Sequence, residues 1–234
     1  MARFREKVIS LDLAGRVVSL TIRRHPRARN IILRIEPKIG PIVTVPWYTP
    51  FEEGIELVRR KQAWLLRQLD ARPSRVPFIE GAQVPLLGTE KIVRHNPDSR
   101  SPVTVTDTEF HVSGHAEHLA RRLTDWFKKE ARRVIAERVE EKTLQLGKPY
   151  RRISIRDTRS RWGSCTEDGS LSFCWRLIML PELALDYVVA HEVAHLKELD
   201  HSPAFWGTVA TLTADSERAQ AWLKVHGERV FYYG

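Results

Sequence analysis

Apolar positions change their spacing several times along this chain, and each change marks an element. Arg16 to Ile22 and Asn30 to Glu36 are rich in Val and Ile and read as strands, with a returning strand over Ile42 to Val45 after the Pro37–Pro41 turn. Thr49-Pro50-Phe51-Glu52 has capping-box spacing and opens one helix to about Leu69, with Ile55, Val58, Leu65 and Leu69 as its apolar positions. Val84 to Arg94, Val103 to Thr106 and Glu109 to Ser113 read as further strands. A long helix is predicted from about Ala116 to Leu146, its stripe formed by Leu119, Leu123, Trp126, Phe127, Val134, Ile135, Val139 and Leu146. Gly147 and Pro149 close it in the usual order.

Strands are predicted next over Arg152 to Asp157, Arg159 to Cys165 and Ser170 to Ile178, the last two joined by a Thr166–Gly169 turn. A helix follows from Pro181 and Glu182, in which Val189, Val193 and Leu196 recur at helical spacing and face a core. A last helix spans about Ser216 to Val225 and ends at Gly227. No internal repeat or low-complexity segment is visible.

The helix after Pro181 carries the chemistry. His191-Glu192-Val193-Ala194-His195 is an H-E-x-x-H motif. Residues four apart share a helical face, so both imidazoles can bind one zinc ion, and Glu192 sits beside that face within reach of a metal-bound water. His201 follows ten residues after His191. On a continued helix it would lie about 15 Å along the axis, too far to share a metal. Ser202-Pro203 reads as an N-cap and first helical residue, so the chain turns here and can swing His201 back. Glu217 and Glu228 are the alternatives for a third ligand. Zinc held by three neutral imidazoles keeps a fourth position for water and lowers its pKa to about 7. Glu192 would take the proton and pass it to the leaving amine.

These segments resemble known zinc proteases. H-E-x-x-H with a third histidine at this spacing is similar to the metzincins, which have glycine where this chain has Glu198. The fuller resemblance is to the YgjP-like metallopeptidase domain, related to the SprT-like and WLM zinc proteases. It rests on Arg161-Trp162-Gly163-Ser164-Cys165, on Trp175-Arg176-Leu177-Ile178, on Asp186 through Leu196, and on His201-Ser202-Pro203-Ala204-Phe205-Trp206. The resemblance implies His191, His195 and His201 as metal ligands and Glu192 as the catalytic base. It also implies that an edge strand beside the metal helix, either Arg159 to Cys165 or Ser170 to Ile178, pairs with extended substrate backbone. It names no substrate.

The expected fold is α+β. A minimal zincin-like catalytic domain over 115–234, with a long helix, a small antiparallel sheet and the H-E-x-x-H helix, follows a mostly β region over 1–114 with one helix. No run approaches the length of a membrane span, and the start lacks the apolar core of a signal peptide. The only cysteines, Cys165 and Cys174, have no C-x-x-C spacing, and a cytoplasmic location with reduced thiols is expected. Cys165 reads as a packed strand residue rather than a nucleophile. Trp162, Trp175 and Trp206 read as core, and His111, His115 and His118 as a surface grouping.

Charge is uneven. Residues 1–150 hold 28 Lys+Arg against 18 Asp+Glu, and residues 151–234 hold 10 against 11. The cluster Arg23-Arg24-His25-Pro26-Arg27-Ala28-Arg29 makes nucleic acid a candidate partner of the N-terminal region. No aromatic residue is interleaved with it, so a solvated basic surface is the preferred reading. The expected function is a zinc metallopeptidase with one zinc per chain, acting on protein or peptide. The alternatives are a metal-dependent hydrolase of a nucleotide phosphoanhydride, and a non-catalytic zinc-containing binding module associated with nucleic acid. Tyr232, Tyr233, Arg159 and Arg161 are the candidates for stabilising an oxyanion.

Overall fold

The computed structural model describes residues 6–36, 39–71, 75–158 and 161–234. Contacts divide the chain into two compact units, Met1–Ser74 and Arg75–Gly234. In the first unit β1 (Glu6–Leu13), β2 (Arg16–His25), β3 (Ile32–Glu36) and β4 (Gly40–Pro46) form a sheet of order β1-β2-β4-β3. β2 and β4 run parallel and the other pairs antiparallel. Leu11, Leu13, Leu20, Ile22, Val43 and Val45 lie on one face of this sheet, where Val58 and Leu65 close the core. Those two residues belong to α1 (Phe51–Arg60) and α2 (Gln62–Asp70).

The second unit opens with a sheet of the same pattern. β5 (Gln83–Leu86), β6 (Thr89–His95), β7 (Val103–Val105) and β8 (Glu109–Val112) take the order β5-β6-β8-β7, again with the second and fourth strands parallel. This sheet shares its core with the long helix α3 (Leu119–Leu146). Phe127 is fully buried at their centre, with its ring centroid 5.6 Å from Phe78, 5.3 Å from Phe110 and 5.9 Å from Trp175. A third sheet joins β9 (Arg152–Arg156), β10 (Gly163–Cys165) and β11 (Ser170–Cys174) in the order β10-β11-β9. The chain then runs through a 3-10 turn (Trp175–Met179) into α4 (Glu182–Ala194), α5 (Pro203–Leu212) and α6 (Ser216–His226), and ends in a 3-10 segment (Gly227–Tyr232).

The α+β class and the principal helices are as the pattern indicates, with six α-helices and three small sheets among the described residues. Several details differ. The single helix expected over 50–69 is two helices, because Lys61 leaves helical geometry at φ −100° and ψ 14°, and the turn brings Leu65 back onto the sheet. A strand at Glu6–Leu13 pairs with β2, and Val84 to Arg94 is a hairpin rather than one strand. Leu87 and Gly88 turn that hairpin with φ of +49° and +81°, the signature of a tight primed turn.

The third sheet is mixed, where an antiparallel one is expected. β11 lies between β10 and β9, antiparallel to the first and parallel to the second. The strand expected to Ile178 stops at Cys174. Trp175 to Met179 are all buried, which a half-exposed strand cannot achieve and a 3-10 turn inside the core can.

Phe127→Ala empties the aromatic centre of the second unit, and a loss of about 3–5 kcal/mol is expected in denaturant unfolding. An unchanged midpoint would show that α3 is not the element organising this core.

Candidate metal centre

Two features fix the start of α4. Pro181 takes its N-cap position, and a side chain at Gly88 would meet the Pro181 backbone at 3.0 Å, so the primed turn packs directly against the head of the helix. Farther along, Lys142 of α3 is buried, donating to Asp186 Oδ1 at 2.8 Å and to the Leu212 carbonyl at 2.8 Å. One cation thus ties α3 to both α4 and α5. Nearly every position of α4 from Ala184 to Ala194 is buried.

The helix ends at Ala194, with His195 as its C-cap. The next eight residues reverse the chain. Asp200 Oδ1 accepts from Ser202 N–H at 3.1 Å, and Ser202 Oγ caps α5 by accepting from Phe205 N–H at 3.4 Å. This turn returns His201 to the end of α4. Phe205, fully buried, lies beneath all three imidazoles, its ring centroid 4.9, 4.5 and 4.7 Å from those of His191, His195 and His201. One ligand atom from each histidine lies within 4.8 Å of the others, an arrangement able to hold a metal ion.

The nitrogens fit a cation. His201 Nε2 and His191 Nε2 stand 3.2 Å apart. Two ligands about 2.0–2.1 Å from a tetrahedral zinc are separated by roughly 3.3–3.4 Å. His195 Nδ1 lies 3.0 Å from the Glu198 carbonyl, which accepts its proton and leaves the Nε2 lone pair for a ligand. His191 Nδ1 is buried and has no hydrogen-bond partner among the described residues. Burial, then His195 and His201, push the His191 pKa down to about 4, so its imidazole is held neutral as a metal ligand must be.

Glu192 points away from solvent and is buried. Burial raises its carboxyl pKa to about 7, against a lowering pull from Arg161. A Cβ built on Gly163 would stand 2.6 Å from Glu192 Cγ and 2.8 Å from both Cδ and Oε1. The absent side chain at the head of β10 is therefore the space that the carboxylate occupies. Alternate residues of this stretch address the same group, since Glu192 also helps raise the Cys165 thiol, whose pKa burial carries to about 11. Cys165 is thus a protonated thiol rather than a nucleophile.

The structure brings His191, His195 and His201 into one group, which includes neither Glu217 nor Glu228, and Glu192 is buried on the same helix. Arg161 is in electrostatic reach of Glu192, whereas Arg159 lies outside the described residues. Tyr232 and Tyr233 offer their carbonyls to Val76 N–H and to the buried Arg176 guanidinium. His111 pairs with Glu109 at 3.0 Å. Trp175 is core, but Trp206 is 39% exposed and its ring sits 5.8 Å from both His191 and His201, on the flank of the centre. Gly163 was not singled out from sequence, because a glycine in a strand only signals that something approaches closely, not what.

A helix bearing two of three clustered imidazoles, in an α+β fold, is an arrangement able to hold a metal ion. The chain belongs to the YgjP-like family: the family model described as YgjP-like, metallopeptidase domain, matches residues 29–226, most of the chain, and the protein is a metallopeptidase by membership. Among solved structures it is similar to the metallopeptidase zymogen of Pyrococcus abyssi abylysin, at 20% identity over 40% of this chain and 95% of that one, with a TM-score of 0.36. That likeness is too slight to bear on the fold. No curated protein matches the chain.

The depressed pKa of His191 has a consequence for stability. Between about 4 and the ordinary value of 6.5, the unfolded chain binds a proton that the folded chain refuses. Metal-free protein is therefore expected to lose stability as pH falls from 6.5 to 4, and His191→Gln to flatten that part of the curve. Denaturant midpoints measured with chelator across this range provide the check; identical slopes in both proteins would contradict it.

Proposed function

We propose that this protein is a zinc-dependent peptidase in which His191, His195 and His201 hold one zinc ion and Glu192 is the general base. The observation that carries this reading is the juxtaposition at the end of α4: three imidazoles with ligand atoms within 4.8 Å of one another, and on the same helix the buried carboxylate of Glu192. Family membership supplies the reaction class. When bound, the ion would supply Lewis acidity to a scissile carbonyl and to an attacking water.

The chain's own residues do the rest. Phe205 and the Glu198 carbonyl orient the imidazoles, the latter by fixing the His195 proton on Nδ1. Glu192 accepts a proton from water at a carboxylate oxygen and delivers it to the leaving amine. The Glu192 carboxyl, raised by burial, would be favoured in its ionised form by a divalent cation held by the three histidines. Gly163 leaves the carboxylate its place. β10, at the end of its sheet and packed on α4, would pair with an extended peptide through its open edge.

Elemental analysis is expected to find one zinc per folded chain, with weakened binding in His201→Ala; unaltered affinity in that variant would remove His201 from the ligand set. Glu192→Gln is expected to keep zinc and lose peptide hydrolysis, and near-normal turnover would exclude its role as base. Gly163→Ala is expected to keep zinc yet lower kcat by roughly 100-fold, since displacing a reacting group by about 1 Å costs that much. Its failure to do so would mean that Glu192 moves aside without consequence.

A further inference from the structure

The first unit carries most of the net charge. Residues 1–74 hold 15 Lys+Arg against 7 Asp+Glu, out of a chain total of +9. In the sequence its densest arginine cluster has no aromatic neighbour, but the sheet supplies one. β2 ends at His25, paired in parallel with Pro46 at the end of β4, so both strands leave the sheet at the same end. β3 begins at Ile32, opposite Thr44, on the far side of β4. In the order β1-β2-β4-β3 the 26–31 connection must therefore cross the end of β4, where Trp47 and Tyr48 emerge.

Trp47 is 49% exposed and Tyr48 80%. Arg27 and Arg29 are exposed and form no ion pair among the described residues. Both loops are held at their roots. His25 Nδ1 accepts from Arg27 N–H at 3.1 Å, and the His25 carbonyl from Ala28 N–H at 3.2 Å. The Pro46 carbonyl accepts from Thr49 N–H at 3.1 Å, and Arg24 stacks over Phe51 with its guanidinium carbon 4.5 Å from the ring centroid. Glu52 and Glu53 follow in the first turn of α1, where they complement the helix's own first-turn N–H groups.

We infer that this end of the sheet binds single-stranded nucleic acid, with unpaired bases stacking on Trp47 and Tyr48 and phosphates lying against Arg27 and Arg29. Two consecutive exposed rings have no use for an inorganic anion and cannot reach bases stacked inside a duplex, whereas an unpaired strand offers both a base face and a phosphate at each step. The inference is independent of the peptidase reading, since none of these residues belongs to the metal centre.

The test is fluorescence anisotropy of the full-length protein with a labelled oligothymidylate of about 20 nucleotides, titrated at several salt concentrations. Trp47→Ala and Tyr48→Ala are each expected to weaken binding by about 5- to 100-fold. The pair Arg27→Ala with Arg29→Ala is expected to flatten the log–log salt slope by about 1.4. Arg59→Ala with Arg60→Ala removes equal charge from the end of α1 and is expected to leave both affinity and slope nearly unchanged. Circular dichroism checks that the exposed substitutions leave the fold intact. Absence of binding by wild type overturns the inference. So do equal losses in the α1 control, which would make the attraction diffuse, and binding to phosphatidylserine vesicles without binding to the oligonucleotide.

Discussion

The cluster of three histidines depends on where α4 stops. A regular helix would carry the third histidine about three turns beyond the first, far outside the reach of a shared ion. The helix instead ends at Ala194 with His195 as its C-cap, the chain is turned by Asp200 and Ser202, and the new helix places Phe205 beneath the three rings. Short-range hydrogen bonds determine the reversal, and one buried aromatic residue determines its depth. The energetic cost is visible in His191, which loses solvent and sits against two other imidazoles, and so is held neutral. A site that disfavours protons in this way favours a metal ion in their place.

Beside this centre the decisive feature is a missing side chain. Glu192 is an ionisable group in a largely dry location, and burial alone moves its pKa toward neutrality. Its position is set by the bare backbone of Gly163, and its charge is moderated by Arg161 two residues earlier on the same stretch. The strand that would receive a peptide and the carboxylate that would act on it are thus fixed by the same few residues. Arg176 anchors this region from behind, bonded to Asp157 before β10 and to the Tyr233 carbonyl near the chain end.

The two four-stranded sheets share strand order and pairing sense although no repeat is legible in their sequences. Their uses differ. The 83–112 sheet is built into the core of the second unit through Phe110 and Phe127, and its tight turn steadies the head of α4. The 6–46 sheet has a small core of its own and holds 8 Lys+Arg against 3 Asp+Glu, with arginines and exposed aromatics following its strands at one end.

The sequence by itself determined what is local. H-E-x-x-H spacing puts two histidines and a glutamate on one helical turn, Ser202-Pro203 marks the next helix, and the stripe of α3 follows from its period, because helical contacts lie within four residues. It was silent where partners are distant in the chain. A continuous apolar run at 170–178 could not reveal that its second half is a 3-10 turn, and alternation could not show that β11 lies parallel to β9. Gly163 became meaningful only when Glu192 was found against it, and Arg27 and Arg29 only when the strand order carried the 26–31 connection across the end of β4, from which Trp47 and Tyr48 follow. Tertiary structure decided these, since side-chain period records which face of an element is buried but not what comes to cover it.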